Sequence, residues 1–457
     1  MSEHSTTQCV LFPGIVQRPV VAKFDQRQGS CDGGAILLRA ADRRLGLTSA
    51  LAPALEDERQ SNKIKHELSA LLRQRVMAIA CGYPDPNDAA RLGSDPVHKR
   101  LVGRDPIQGE GLASQPTLSR FENGRDRKQL FRWSEALADC VIERHRRRLP
   151  GRARRITLDL DPTDDPTPGA QPLTFFNPHY DTYCYLPVVG FLSFDQEPEQ
   201  YLVTAVLRPG NAPGAIGILR RLLRRVQKAF PRARIRVRLD GGFATPDVLD
   251  FLDCAPQVEY LVNLAAHAVL KRKAESTRKR ARRASKISGQ TEHVDGECRY
   301  ATRQTWPWKR RVIYKAEVVR AEGKEPKDNP RFVVTNLQQS PQWIYEQVYC
   351  PRGDGENRIQ ELHDGMQIGR TSCSNFWANT FRVILTAAAY VLMQEMRLPL
   401  AGTRHARAQV STLRERFLKL GAQIVVSVRR IVLHLPRSFP DRDSFHHLAL
   451  RLATPSG

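Results

Sequence analysis

Apolar residues recur at helical spacing through the first third of the chain and at strand spacing through the second. In AILLRAADRRLGL (35–47) and HELSALLRQRVMAIACGY (66–83) they fall three and four positions apart, which predicts amphipathic helices. SQPTLSRFENG (114–124) has the form of a helix start, with Ser114 or Thr117 able to cap and Arg120 on the exposed face; it suits a DNA groove and equally an ordinary capped helix. Beyond the basic linker RRRLPGRARR (146–155), ITLDLD (156–161), YCYLPVVGFLSF (183–194) and YLVTAVL (201–207) predict an antiparallel meander. GAIGILRRLLRRVQKAF (214–230) follows as an amphipathic helix. In RIRVRLD (234–240) Ile235, Val237 and Leu239 alternate with arginines, predicting a half-buried strand. A short helix at PDVLDFL (246–252) and a strand at VEYLVNL (258–264) complete an order of three strands, helix, strand, helix, strand.

That rhythm breaks from about 266 to 330, where KRKAESTRKRARRASK (271–286) precedes short strands around CRYATRQTW and RRVIYKAEVVR. Strand texture resumes in RFVVTNL (331–337). Helices are then expected at WIYEQVY (343–349), GENRIQELHDG (355–365), FWANTFRVILTAAAYVLMQEM (376–396) and around STLRERFLKL (411–420), and no internal repeat is present.

Composition narrows the partners. A chain of 457 residues, 41 % of them apolar, exceeds what one core usually supports, so two or three domains are expected. Lys and Arg outnumber Asp and Glu by 71 to 48, a formal charge of +23 that favours a polyanion, nucleic acid ahead of an anionic membrane surface. VILTAAAYVLM (383–393) falls short of the roughly 20 residues that span a bilayer and is expected as a buried helix, so no membrane is implied. The beginning of the chain lacks a basic segment followed by an apolar one, which points to the cytoplasm. Nine scattered cysteines without CxxC spacing argue against a disulfide framework and a zinc ribbon, and the pair His446–His447 has no partner at metal-ligand spacing.

Three acids stand out. Asp161 closes the first strand, Asp240 closes the fourth and precedes Gly241 and Gly242, and Glu356 opens a helix whose stripe of Ile359, Leu362 and Met366 directs it toward the core side. Each has an ordinary explanation: DPTDDPT is good turn chemistry, an acid before two glycines suits a turn, and a glutamate in a first helical turn suits the helix dipole. Together, in so basic a chain, they form the carboxylate set that Mg²⁺ requires, two ions bridging the attacking and leaving oxygens of a phosphoryl transfer. Asp159, two residues back on the same strand face, is the fallback ligand, while Asp164 and Asp165 are expected to shape the turn. Trp306 and Trp308 in TWPWKRR interleave aromatics with Lys309 and Arg310, as nucleic-acid surfaces do.

The element order resembles the ribonuclease-H-like fold. Beyond that, LDLDPTDDPTPGAQ, RVRLDGGFATPDVLDFL, RFVVTNL, YEQVYCPRGDGENRIQELHDG and NFWANTFRVILTAAAYVL resemble successive blocks of the DDE transposases of bacterial insertion sequences (transposase DDE domain group 1), most closely the insertion-sequence family numbered 1380. GGAILLRAADRRLGL, RQRVMAIACGYPDPNDA and LASQPTLSRFENG are similar to the same family, so the resemblance spans nearly the whole chain. It implies an α/β protein with a ribonuclease-H-like mixed-sheet catalytic core (151–265, completed by 331–457), a β-rich basic insertion (266–330) and a helical N-terminal DNA-binding region (1–150). It further implies a catalytic and metal-binding triad of Asp161, Asp240 and Glu356, matching D-x-T, D-x-G-F and the glutamate of Y-x2-R-x3-E-x6-K, in which Tyr349 and Arg352 are in register as DNA contacts. The terminal lysine is His363 here, able to contact a phosphate with a charge that depends on pH. Gly355 stands where an apolar residue is common, and costs the helix start about 1 kcal/mol. The resemblance implies two Mg²⁺ ions, with Mn²⁺ able to substitute. Its expected partners are double-stranded DNA bearing terminal inverted repeats and target DNA, bound by a homodimer in the synaptic complex, nucleoid-associated in a bacterial cytoplasm. Rival readings are a catalytically inactive DNA binder or repressor, and a metal nuclease that cuts without joining.

Overall fold

The computed structural model describes residues 10–12, 20–22 and 25–454, apart from 168, 170, 213–214, 303–305 and 307. Its centre is an eight-stranded mixed sheet. In chain order the strands are β1 (Arg155–Pro162), β2 (Val188–Phe194), β3 (Tyr201–Val206), β4 (Arg234–Leu239), β5 (Val258–Leu264), β6 (Glu292–Tyr300), β7 (Arg310–Val319) and β8 (Lys327–Thr335). Across the sheet they run β6-β7-β8-β5-β4-β1-β2-β3. β1, β2 and β3 pair antiparallel, and β4 and β5 are parallel to β1, the strand order and directions of the ribonuclease-H-like fold. The alternation of Ile156, Leu158 and Leu160, all fully buried, sets one face of β1, and Ile235, Val237 and Leu239 set the matching face of β4.

The basic segment 266–330 is not a set of short separate strands. β6, β7 and β8 are nine or ten residues long and extend the central sheet as an antiparallel meander, joined to β5 through β8. Its most cationic part forms a helix.

The helices used below are α1 (Ile36–Leu45), α2 (Leu68–Ala80), α3 (Gln115–Asn123), α4 (Arg127–Arg148), α5 (Ile216–Ala229), α6 (Pro246–Cys254), α7 (Glu275–Ser288), α8 (Gly353–Gln360) and α9 (Phe376–Arg397). α9 is apolar and long enough to cross a membrane by length and composition, yet 89 % of its most apolar window is buried inside the protein, so it is a core helix. One contiguous hydrophobic core runs from Ala35 on the N-terminal helices through the sheet to Leu452. Buried Glu122 of α3 accepts from Arg75 of α2 at 2.6 Å and Arg382 of α9 at 2.8 Å, fixing the N-terminal helices to the core helix. Ser114 occupies the position before α3 as expected, but its hydroxyl meets Thr117 at 3.3 Å instead of capping the backbone. The two helices expected at 343–349 and 355–365 are one helical run, Pro341 to Gly365, with wider π-type turns at Ile344–Tyr349 and Glu361–Gly365 flanking α8.

Candidate active site

The site is built by register. β1 and β4 run parallel with Asp159 opposite Arg238 and Leu160 opposite Leu239, so Asp161 and Asp240 follow side by side where the two strands end. The helical run brings Tyr349, Arg352 and Glu356 past this end at positions i, i+3 and i+7, one stripe of a helix. Arg352 stands where the three acids meet: its guanidinium nitrogens lie 2.5 Å from Asp161 Oδ2, 3.9 Å from Asp240 Oδ1 and 3.7 Å from Glu356 Oε1.

Solvent access rises across the set, with side-chain exposures of 17 % for Asp161, 35 % for Asp240 and 68 % for Glu356. Burial pushes the Asp161 carboxyl up to about 7; Arg352 opposes that shift, and Asp240, Glu356 and Asp159 add to it. For Arg352, burial works against the charge but is outweighed by Asp161 and Asp240, so its pKa is raised.

Glu356 corrects one expectation, because its side chain faces solvent and not the core side. The helical run begins well before the position the sequence suggested, and the inward glutamate is Glu361. Glu361 accepts from Arg397 at 2.7 Å, the Tyr390 hydroxyl at 2.6 Å, the Val410 N–H at 2.6 Å and Arg358 at 2.8 Å. That network clamps the Glu356-bearing run against α9. Gly355 leaves the helix intact, and a Cβ there would meet only Gln200 Oε1 at 3.7 Å, an ordinary contact.

The remaining expected residues divide. Asp159, the fallback ligand, is held bidentately by Arg238 at 2.6 Å and 2.6 Å, with the guanidinium also donating to Val348 O, so its oxygens are already committed. The inner arginines of β4 are therefore buried and not solvated: Arg236 likewise pairs with Glu259 at 2.8 Å, while Arg234 at the start of the strand is exposed. Tyr349 is half-buried and packs on Tyr345, ring centroids 5.2 Å apart, with burial raising its phenol pKa. His363 Nε2 lies 3.0 Å from Thr163 Oγ1. Burial lowers its pKa, so the imidazole is neutral near pH 7 and ties the helical run to the D-x-T turn.

In the TWPWKRR segment Thr305 and Pro307 lie outside the described residues; Trp308 and Lys309 are exposed and Trp306 is buried. Arg310 does not face outward as a DNA contact. It is buried between the two indoles, 5.0 and 4.9 Å from their centroids, and paired with Asp250 and Asp253, where it fastens α6 to β7. Asp165, expected to shape the turn after Asp161, is buried and accepts from Thr371 Oγ1 at 2.8 Å; burial pushes its carboxyl up to about 7.

Sequence reasoning missed a wall of the site. A cleft beside Asp240 and its two glycines is lined by His179, Tyr180, Arg208 and Asn263. Burial, with Asp164, Asp161 and Asp240 nearby, raises the Tyr180 phenol to about 12. His179 and Tyr180 lie in an irregular connection without periodicity, and the only signal available was a dense patch of aromatics in FFNPHYDTY.

Three carboxylates ringed about one guanidinium are an all-oxygen, strongly anionic donor set with a cation already at the point they share, which fits a hard divalent ion. Among the described residues two tighter ligand groups occur, Asp32–Cys81–His98 and the partly exposed His293–Asp295–Glu346. In the first, Asp32 is already engaged by His98 and Lys419, each at 2.8 Å. A family model described as Transposase DDE domain group 1 matches residues 12–456. Among solved structures, the chain is similar to a piggyBac transposase in a synaptic complex with hairpin DNA, at 10 % identity and a TM-score of 0.42, covering 84 % of this chain and 78 % of that one. No curated protein matches the sequence.

Proposed function

Because the chain belongs to the transposase DDE domain group 1 family, we propose that it cuts DNA at the terminal inverted repeats of an insertion sequence and joins the freed 3′-OH to target DNA at the Asp161–Asp240–Glu356 site. The observation that carries this reading is the convergence of all three acids on the Arg352 guanidinium at one end of the sheet. Two Mg²⁺ ions, or Mn²⁺ in their place, supply in such a site the Lewis acidity that activates an attacking oxygen and stabilises a leaving one.

The chain's own residues set the order of events. Asp161 must lose the proton that burial favours before it can act as a ligand. Arg352 exchanges its carboxylate partners for the scissile phosphate, to which a guanidinium binds bidentately. Tyr349, one helical turn before Arg352, positions the strand end, and the open backbone at Gly242, where an added Cβ would meet nothing within 4 Å, gives a phosphate room to approach. His363 holds Thr163, and with it the turn after Asp161, in place. Exposed Trp308 and Lys309, and the outward Arg120 of α3, are further DNA contacts in this reading. Paired ends require a homodimer. Purified protein, an end-containing duplex and Mg²⁺ test the assignment: Glu356→Gln should cleave at least about 100-fold more slowly than the parent. Equal rates would remove Glu356 from the mechanism.

A further inference from the structure

α7 and the short helix before it, Ala268–Lys273, carry the densest positive charge in the chain, and the structure sorts that charge into two uses. Arg278 and Arg282 face the sheet. Both pair with Asp328 of β8 and with Glu275, so their charges are spent on fastening the helix, although Arg282 stays partly open to solvent. Ala281, fully buried, packs with Ala316 and Val318 of β7, and Ser285 is buried beside it. Lys279, Arg283 and Lys286 are exposed, and among the described residues none of them makes an ion pair. They recur at i, i+4 and i+7, a single stripe about 10 Å long at 1.5 Å per residue. Arg272 and Arg280 flank it, also exposed.

We propose that this stripe is a track for the sugar–phosphate backbone of double-stranded DNA, bound by charge and without reading sequence. B-DNA carries one phosphate per roughly 3.4 Å of each strand, so a stripe of this length faces two or three of them. A lipid surface fits less well. A helix lying in a membrane interface leaves an apolar face free, whereas the apolar face of α7 is spent on β7, and Ile287 is its one exposed large apolar side chain. The anchoring pairs to Asp328 hold the helix backbone against the sheet, so little backbone freedom is lost on binding. The inference rests on the proposed DNA chemistry for its biological sense, but its test reads binding alone.

The experiment is the salt dependence of affinity for a mixed-sequence DNA duplex, measured in EDTA with the full chain. Lys279→Ala/Arg283→Ala/Lys286→Ala should flatten the slope of log K against log salt by about 2 to 3, at roughly 0.9 per phosphate contact. The charge-conserving set Lys279→Arg/Arg283→Lys/Lys286→Arg should keep the parental slope, which separates a charge track from a sequence-reading contact. All substituted side chains are exposed, and an unchanged thermal melt confirms folding. An unchanged slope in the alanine variant overturns the proposal, as does a loss seen only with single strands or only with anionic vesicles. If the chain bound DNA through α7 yet never cut it, the active-site assignment would fail and this inference would stand.

Discussion

Two arginine–carboxylate assemblies lie two strand positions apart on β1, and they are built for opposite ends. Inside the sheet, Asp159 and Arg238 form a one-to-one pair with both side chains buried. At the strand ends one guanidinium, Arg352, serves three carboxylates, two of them open to solvent. The inner assembly is neutral and its hydrogen bonds are filled, so it holds structure together. The outer one keeps a surplus of negative charge that a single arginine cannot balance, and a surplus beside a cleft is what draws in further cations and a phosphate.

The comparison breaks most decisively at Asp161. Asp161→Asn removes a ligand without removing volume, and cleavage in Mg²⁺ should fall by at least about 10³-fold, roughly 4 kcal/mol, while the thermal melt stays close to the parent. A variant that still cleaves at parental rate would mean that the outer assembly is only another structural pair.

The inner assembly should respond in stability instead. Arg238→Met strands a buried carboxylate and should cost about 3–5 kcal/mol in urea denaturation, and adding Asp159→Leu should recover most of that loss, because two apolar side chains need no pairing. If the single variant costs nothing, the inner pair contributes nothing to stability.

Asp165 sharpens the contrast through pH. Its folded-state pKa of about 7 lies above the ordinary 3.8, so between those values the folded protein holds a proton that the unfolded chain has released. Stability therefore falls as pH rises through that window. Asp165→Asn cannot ionise, and at pH 8 it should be about 1–3 kcal/mol more stable than the parent, a gain that disappears toward pH 4. Urea midpoints at both pH values check this, and cleavage should continue in the variant. The smallest effect concerns how firmly the outermost acid is presented: Gly355→Ala, with room for the added methyl, should stabilise the helical run by about 0.5–1 kcal/mol in thermal melts.

The core of this arrangement was legible in the sequence because it depends on local signals. Period-two runs located β1, β4 and β5, and an acid at the end of each of β1 and β4 marked where those strands stop. What stayed hidden depends on partners far away in the chain. The alternating arginines of β4 looked solvated because nothing local reveals that the helical run, 110 residues later at Val348, covers that face. Arg310 looked like a DNA contact because its acids, Asp250 and Asp253, lie on a helix about sixty positions earlier. Glu356 was expected inward because Ile359, Leu362 and Met366 pointed to its own face as the buried one, but Leu362 falls in the wider π-type turn and Met366 beyond it, so Glu356 stands well to one side of the buried stripe.

On the proposed mechanism the surplus carboxylates around Arg352 form a divalent-cation site that completes itself on DNA. Manganese binding followed by electron paramagnetic resonance, with an end-containing duplex whose scissile linkage resists cleavage, tests it most directly. About two ions per site are expected in the parent complex, and their loss in Asp161→Asn. Equal manganese binding by the two proteins would contradict it.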